Sequence, residues 1–150
     1  MNTYQLKEII KRDKCLSGSV KGVFSPDTLP LRVSTYPSVY ISNTENSDKP
    51  GKHWVVFWFG SPIHAEFYDS FGRLPQTYSS KFDDFLKNNT TFCLYNNVQV
   101  QRKNSDTCGY HVLFYLMLKC EKISMSEIVE ELSRLNADNF VVSYVRDNFQ

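Results

Sequence analysis

The sequence has 150 residues and carries 17 Lys and Arg against 16 Asp and Glu, a net charge of +1, so no strong overall field points to nucleic acid or to an anionic membrane. The length suits one domain that buries a core without staples, and 11 Phe, 9 Tyr and 2 Trp supply large side chains for it. No run approaches the ~18 apolar residues of a membrane span, Met1–Glu8 has no apolar leader core, and Cys15, Cys93, Cys108 and Cys120 show no CxxC spacing, so a non-secreted chain with reduced thiols is expected.

Leu6, Ile9 and Ile10 recur at helical spacing, which predicts an amphipathic helix over residues 3–12, capped by Asn2 or Thr3. Residues 13–37 carry Gly18, Gly22, Pro26, Pro30 and Pro37 and read as irregular, with Phe24, Leu29 and Leu31 as anchors. Val39–Ile41 is a short strand candidate, and the polar run 43–52 with Pro50-Gly51 is a surface loop.

Residues 53–59 and 63–69 are rich in aromatic and β-branched residues and flank Gly60-Ser61-Pro62, which predicts a hairpin with a three-residue loop. Phe59 would then oppose Ile63, paired numbers would sum to 122, and His53 would face Asp69 directly. Opposed Cβ atoms lie ~4.5–5.5 Å apart, within reach of an imidazole–carboxylate hydrogen bond. Alternation puts Val55, Phe57, Phe59, Ile63, Ala65 and Phe67 on the face of His53 and Asp69, with Trp54, Val56, Trp58, His64, Glu66 and Tyr68 opposite. The first face is expected to pack on the apolar helix that follows Cys108.

Downstream, Ser80–Asp83 resembles a capping box opening a helix over 81–88, with Phe82, Phe85 and Leu86 on one face. Phe92–Tyr95 and Val98–Gln101 read as strand segments around Asn96-Asn97. From Cys108 to Cys120 the chain is almost wholly apolar for one helix length. Ser124–Glu127 is a second capping box, opening a helix with Met125, Ile128, Val129 and Leu132 inward. A last helix spans 138–147, with Phe140, Val141, Tyr144 and Val145 inward. The element order is that of an α+β domain.

The chemistry centres on Cys108. A polar loop precedes it, the helix starts at it, and Gly109 follows it, admitting a close neighbour. A thiol there meets the positive end of the helix dipole and unpaired N–H groups, which favour thiolate. Three histidines compete as its base. His53 has the carboxylate of Asp69 opposite it, as a Cys–His–Asp system requires. His64 lies on the other hairpin face. His111 follows Cys108 by three residues but has no carboxylate nearby in sequence, and Cys108-x-x-His111 lacks the second ligand pair of a metal site. Cys120, at the far end of the helix, reads as core. Attack by a thiolate on a carbonyl produces an oxyanion that needs fixed donors. The Cys108 N–H is one, and either Gln99 or Gln101 could supply a side-chain amide.

His53-Trp54, then Phe67-Tyr68-Asp69-Ser70-Phe71-Gly72, then Gln101 seven residues before Cys108-Gly109, form an ordered set that resembles the adenovirus-type (adenain) cysteine proteases. Their clan also holds the proteases specific for ubiquitin-like modifiers. Leu6–Lys11 before Cys15, Asn43-Thr44, and Asn104-Ser105 extend the similarity over residues 5–120. The resemblance implies a mixed sheet flanked by helices, papain-like in class, with a central Cys-bearing helix in a single domain spanning 1–150. It implies Cys108 as nucleophile, His53 as base, Asp69 as its orienter, Gln101 as the oxyanion donor and Trp54 packed beside the site. The implied activity is an endopeptidase that cleaves capsid or core precursors during particle maturation, as a monomer, in the virion and the host nucleus or cytoplasm. Adenovirus members are longer, often carry Glu where this chain has Asp69, and are activated by DNA and by a peptide disulfide-linked to a Cys between the acidic residue and the nucleophile, an interval in which Cys93 falls here. Two other functions fit the same residues: a protease acting on ubiquitin or a ubiquitin-like modifier, and a non-catalytic protease-like structural or DNA-binding subunit.

Overall fold

The computed structural model describes residues 1–149. Five strands form one mixed sheet in the spatial order β1 (Val20–Phe24), β2 (Ser38–Asn43), β3 (Trp54–Ser61), β4 (His64–Tyr68), β5 (Phe92–Tyr95). The outer pairs β1/β2 and β4/β5 are parallel and the inner pairs antiparallel. Six α-helices surround the sheet: α1 (Thr3–Arg12), α2 (Lys14–Ser19), α3 (Ser80–Asn89), α4 (Cys108–Cys120), α5 (Met125–Ser133) and α6 (Ala137–Phe149). The class is therefore α+β, as the element order predicts. No helix among the described residues is long and apolar enough to cross a membrane.

The stretch 13–37 is more regular than its Gly and Pro content suggests. Asp13 ends α1 and caps α2 by accepting the Leu16 N–H, and only Leu16 of the six α2 residues is buried, too few to leave a periodic signal. β1 is a half-buried edge strand without clear alternation.

The hairpin forms two residues out of the expected register. Phe57 pairs with Phe67 and Phe59 with Ala65, so paired numbers sum to 124, and Ser61 pairs with His64 across Pro62-Ile63. A shift of two preserves parity, so each side chain keeps its face. Ile63, now in the turn, is exposed. The face of Val55, Phe57, Phe59, Ala65 and Phe67 packs on Phe82, Phe85 and Leu86 of α3, not on the helix after Cys108. That helix, α4, covers the other face, against Val39, Ile41, Trp54, Val56 and Tyr68. The reason lies in polar side chains that the apolar reading of α4 passed over. Buried Glu66 on that face accepts from the Tyr115 hydroxyl at 2.5 Å and the Lys119 ammonium at 3.1 Å, and Lys119 also sits 4.1 Å over the Trp58 ring. Buried polar groups take partners, and on this face Glu66 supplies the acceptor that Tyr115 and Lys119 need.

Ser79 rather than Ser80 caps α3. Ser124 caps α5 through the Glu127 N–H, with Met125, Ile128, Val129 and Leu132 buried as expected. On α6, Val141 and Val145 are buried, whereas Phe140 is 37% exposed and leans edge-on to Phe114. Residues 98–101 form no strand; the Val100 and Gln101 N–H groups both donate to Ser70 O. Cys15 and Cys120 are not reduced thiols but a disulfide joining α2 to the end of α4.

Candidate active site

Cys108 opens α4, whose residues are buried from position 108 to 117 apart from Tyr110. The first N–H groups of a helix lack intrahelical acceptors, and a side chain at the N-cap commonly takes one. Asn2, Asp13, Ser79 and Ser124 do so for α1, α2, α3 and α5. Thr107 does not do so for α4. Its first turn therefore keeps its donors, and the positive end of its dipole, for the sulfur and for an incoming anion. A Cβ on Gly109 would lie 3.1 Å from the Trp54 ring and 3.0 Å from the Met1 sulfur, so Gly109 admits Trp54 beside Cys108.

His53 and Asp69 each lie one residue beyond a strand end, before β3 and after β4. In the observed register they are diagonal neighbours rather than opposed, and the His53 Nε2 to Asp69 Oδ1 distance is 2.6 Å. Nε2 is thus committed to Asp69, which leaves Nδ1 as the ring's other nitrogen; the imidazole and the Cys108 thiol line the same cleft and shift each other's titration. Phe71, opposite His53 in the extended register, stacks on the imidazole at 4.4 Å between centroids.

The Asp69 carboxylate is fully buried. It also accepts the Phe71 N–H at 3.0 Å, the Arg73 N–H at 3.0 Å and the Tyr78 hydroxyl at 2.5 Å. Asn96 brackets its backbone, accepting the Asp69 N–H at 3.1 Å and donating to the Asp69 carbonyl at 2.6 Å.

Burial alone would raise the Asp69 pKa, but His53, Tyr78 and the Phe71 N–H outweigh it and hold the carboxyl below its ordinary value. Burial would likewise lower His53, yet the hydrogen bonds to Asp69 and Cys108 and the two negative charges raise it. For Cys108 burial pushes up; the His53 hydrogen bond and charge, and the Trp54 and Gly109 N–H groups, bring the net shift down. These opposite movements favour a thiolate–imidazolium pair.

Gln101 reaches this centre through the turn after Asp69. Gly72 has φ +72°, and a Cβ there would meet Val98 C at 2.6 Å and Gln99 N at 2.7 Å. Glycine lets segment 98–101 lie against the turn. The Ser70 hydroxyl donates to Gln101 Oε1 at 2.6 Å, which orients the amide, and Nε2 donates to Ser105 O at 3.0 Å. An amide nitrogen carries two hydrogens, so one remains for an oxyanion. Gln101, His53, Trp54, Phe71, Ser105 and Cys108 all line one cleft of about 460 Å³, together with the 1–3 segment, Asn43, Gly51, Lys52 and Asp106.

Gln99, the competing amide, is exposed and donates to Gln101 O. His64 is remote from the cleft, 3.5 Å from Glu66. His111 has a carboxylate after all: Nε2 lies 2.9 Å from Asp138 Oδ1, contributed by α6. Burial pushes its pKa down, so it stays neutral. Cys93 sits half-buried on the edge strand β5, and burial pushes its pKa up to about 11. Ser70, Tyr78, Asn96 and Asp138 were not singled out by sequence; only the position of Ser70 inside the Asp-Ser-Phe-Gly turn could have marked one of them. No protein-family model and no curated protein matches this chain.

Proposed function

We propose that this protein is a cysteine endopeptidase of the adenovirus type. One observation supports this most directly: the His53 ring bonds the Asp69 carboxylate at 2.6 Å and lines one cleft with the Cys108 thiol and the Gln101 amide. In the reaction the Cys108 thiolate attacks the scissile carbonyl carbon, and the carbonyl oxygen takes the negative charge. The Gln101 amide and the N–H groups opening α4 stabilise that oxyanion; a donor of this kind contributes roughly 10²–10³ in rate. The His53 imidazolium, held by Asp69, gives its Nδ1 proton to the departing amine, leaving a thioester. Water then attacks the thioester, His53 takes its proton, and the acid leaves as Cys108 is restored. The resemblance to adenovirus-type proteases supports precursor proteins of a viral-type particle as substrates.

The test is cleavage of a proteome-derived peptide library followed by mass spectrometry of the new termini. Peptides cut at a shared sequence pattern are expected, and Cys108→Ala is expected to give none. Equal cleavage by the Cys108→Ala protein, or none by a protein whose Cys108 alkylates rapidly, would refute the proposal. Labelling of Cys108 by a ubiquitin-derived electrophile, with no library cleavage, would reassign the substrate to a ubiquitin-like modifier.

A further inference from the structure

Six residues separate Gln101 from Cys108, and that loop sets where the two oxyanion donors stand relative to the sulfur. Both its ends converge on one carboxylate. Asp138, in the first turn of α6, is 4% exposed. Its Oδ2 accepts the Arg102 backbone N–H at 3.2 Å and the Arg102 Nε–H at 3.3 Å. Its Oδ1 accepts the Thr107 hydroxyl at 2.7 Å and the His111 Nε2–H at 2.9 Å. Between these anchors Thr107 Oγ1 lies 3.0 Å from Ser105 Oγ, and Ser105 O receives the Gln101 amide. Arg102, Ser105 and Thr107 thus link Asp138 to Gln101 on one side and to the start of α4 on the other.

A second feature has the same cause. Thr107 stands where a helix cap belongs but makes no cap bond, because its hydroxyl is turned to Asp138. Asp138 is itself firmly placed, since α6 lies along α4 through Phe114, which meets the Tyr144 ring edge-on at 5.0 Å.

We propose that Asp138 is a positioning residue of the acyl-transfer site, holding the Gln101–Cys108 loop at both ends and keeping the first turn of α4 open to an oxyanion. This rests on Cys108 acting as the nucleophile. All four groups facing Asp138 donate, so an amide of the same shape can accept on one side only. Asp138→Asn therefore releases either Arg102 or the Thr107–His111 side. The thiolate–imidazolium pair, held by Asp69, is not touched.

The experiment compares two reactions of Cys108 at one pH. Acylation by p-nitrophenyl acetate passes through an oxyanion; alkylation by iodoacetamide does not. Asp138→Asn is expected to slow acylation at least about tenfold and to leave alkylation within about twofold. Thr107→Val, an isosteric change, is expected to shift the ratio in the same direction and decides the matter if Asp138→Asn does not fold by circular dichroism. On a Gln101→Ala background, either change is expected to add less than its effect alone, because the same donor is already lost. An unchanged acylation-to-alkylation ratio in the folded variants, equal losses in both reactions, or full additivity with Gln101→Ala would overturn the role of Asp138. A wild-type protein that neither acylates at Cys108 nor alkylates there in preference to Cys93 would instead overturn the nucleophile on which it rests.

Discussion

The sulfur of Cys108 and the ring of His53 titrate as partners, each shifted toward its charged form by the other. The thiolate fraction grows as pH rises through the Cys108 pKa, which lies below the ordinary thiol range. Iodoacetamide should therefore alkylate Cys108 along a curve that levels off at lower pH than that of an ordinary thiol, whereas Cys93, raised by burial to about 11, stays silent until strongly alkaline pH. In His53→Ala only the Trp54 and Gly109 N–H groups still oppose burial. The inflection should move up, and alkylation at pH values below both inflections should slow by about tenfold for each unit of that movement. Superimposable profiles for wild type and variant, read by mass spectrometry, would exclude the pair. The residues of this pair were legible in sequence because hairpin parity separates His53 from His64 and a polar loop marks the start of the Cys108 helix. Tyr78, Asn96 and Asp138 were not, because each acts on a segment brought near only by the fold; Asn96 and Asp69 are 27 residues apart.

The turn after β4 does more than reverse the chain, since successive residues each serve a different neighbour. Asp69 holds His53, Ser70 orients Gln101, Phe71 stacks on the imidazole, and Gly72 admits the backbone of Val98 and Gln99. A side chain at position 72 meets both a left-handed φ and main-chain atoms under 3 Å away. Gly72→Ala should cost about 1–3 kcal/mol of stability from the backbone conformation alone, read as a lower midpoint in urea. By displacing segment 98–101 it should also slow acylation of Cys108 more than its alkylation. Wild-type stability with wild-type acylation would show that this close approach is dispensable. Sequence predicted the hairpin's faces correctly apart from Ile63, which lies in the turn, while misplacing its register and its partner. Alternation is insensitive to a shift of two, which explains the first outcome. The partner depended on Glu66 meeting Tyr115 and Lys119 across α4, a polar match that an apolar count of the helix does not contain.

Helix α4 ties the molecule together, with the free Cys108 thiol at its first residue and a disulfide-bonded sulfur at its last. The Cys15–Cys120 disulfide closes a loop across 105 positions of sequence, which is why nothing in local spacing announced it. It fastens α2, whose only buried residue is Leu16, to the sheet-covering helix. A link of that length stabilises by roughly 4–5 kcal/mol in the chain-entropy picture, with measured losses of about 2–5 kcal/mol on removal. For a domain of this size each kcal/mol is worth about 2–4 °C, so Cys15→Ser with Cys120→Ser should lower the melting temperature by roughly 5–15 °C, and reductant should do the same to the wild type alone. The two ends of α4 stand about 20 Å apart at 1.5 Å per residue, which sets the disulfide far from the Cys108 sulfur. Below the melting transition, alkylation of Cys108 should therefore keep its wild-type rate and pH profile in the double variant. A melting temperature indifferent to both the substitutions and reductant would remove the disulfide from the forces holding α2 to α4. A Cys108 profile that shifts with it would instead mean that strain at one end of the helix is carried through thirteen residues to the other.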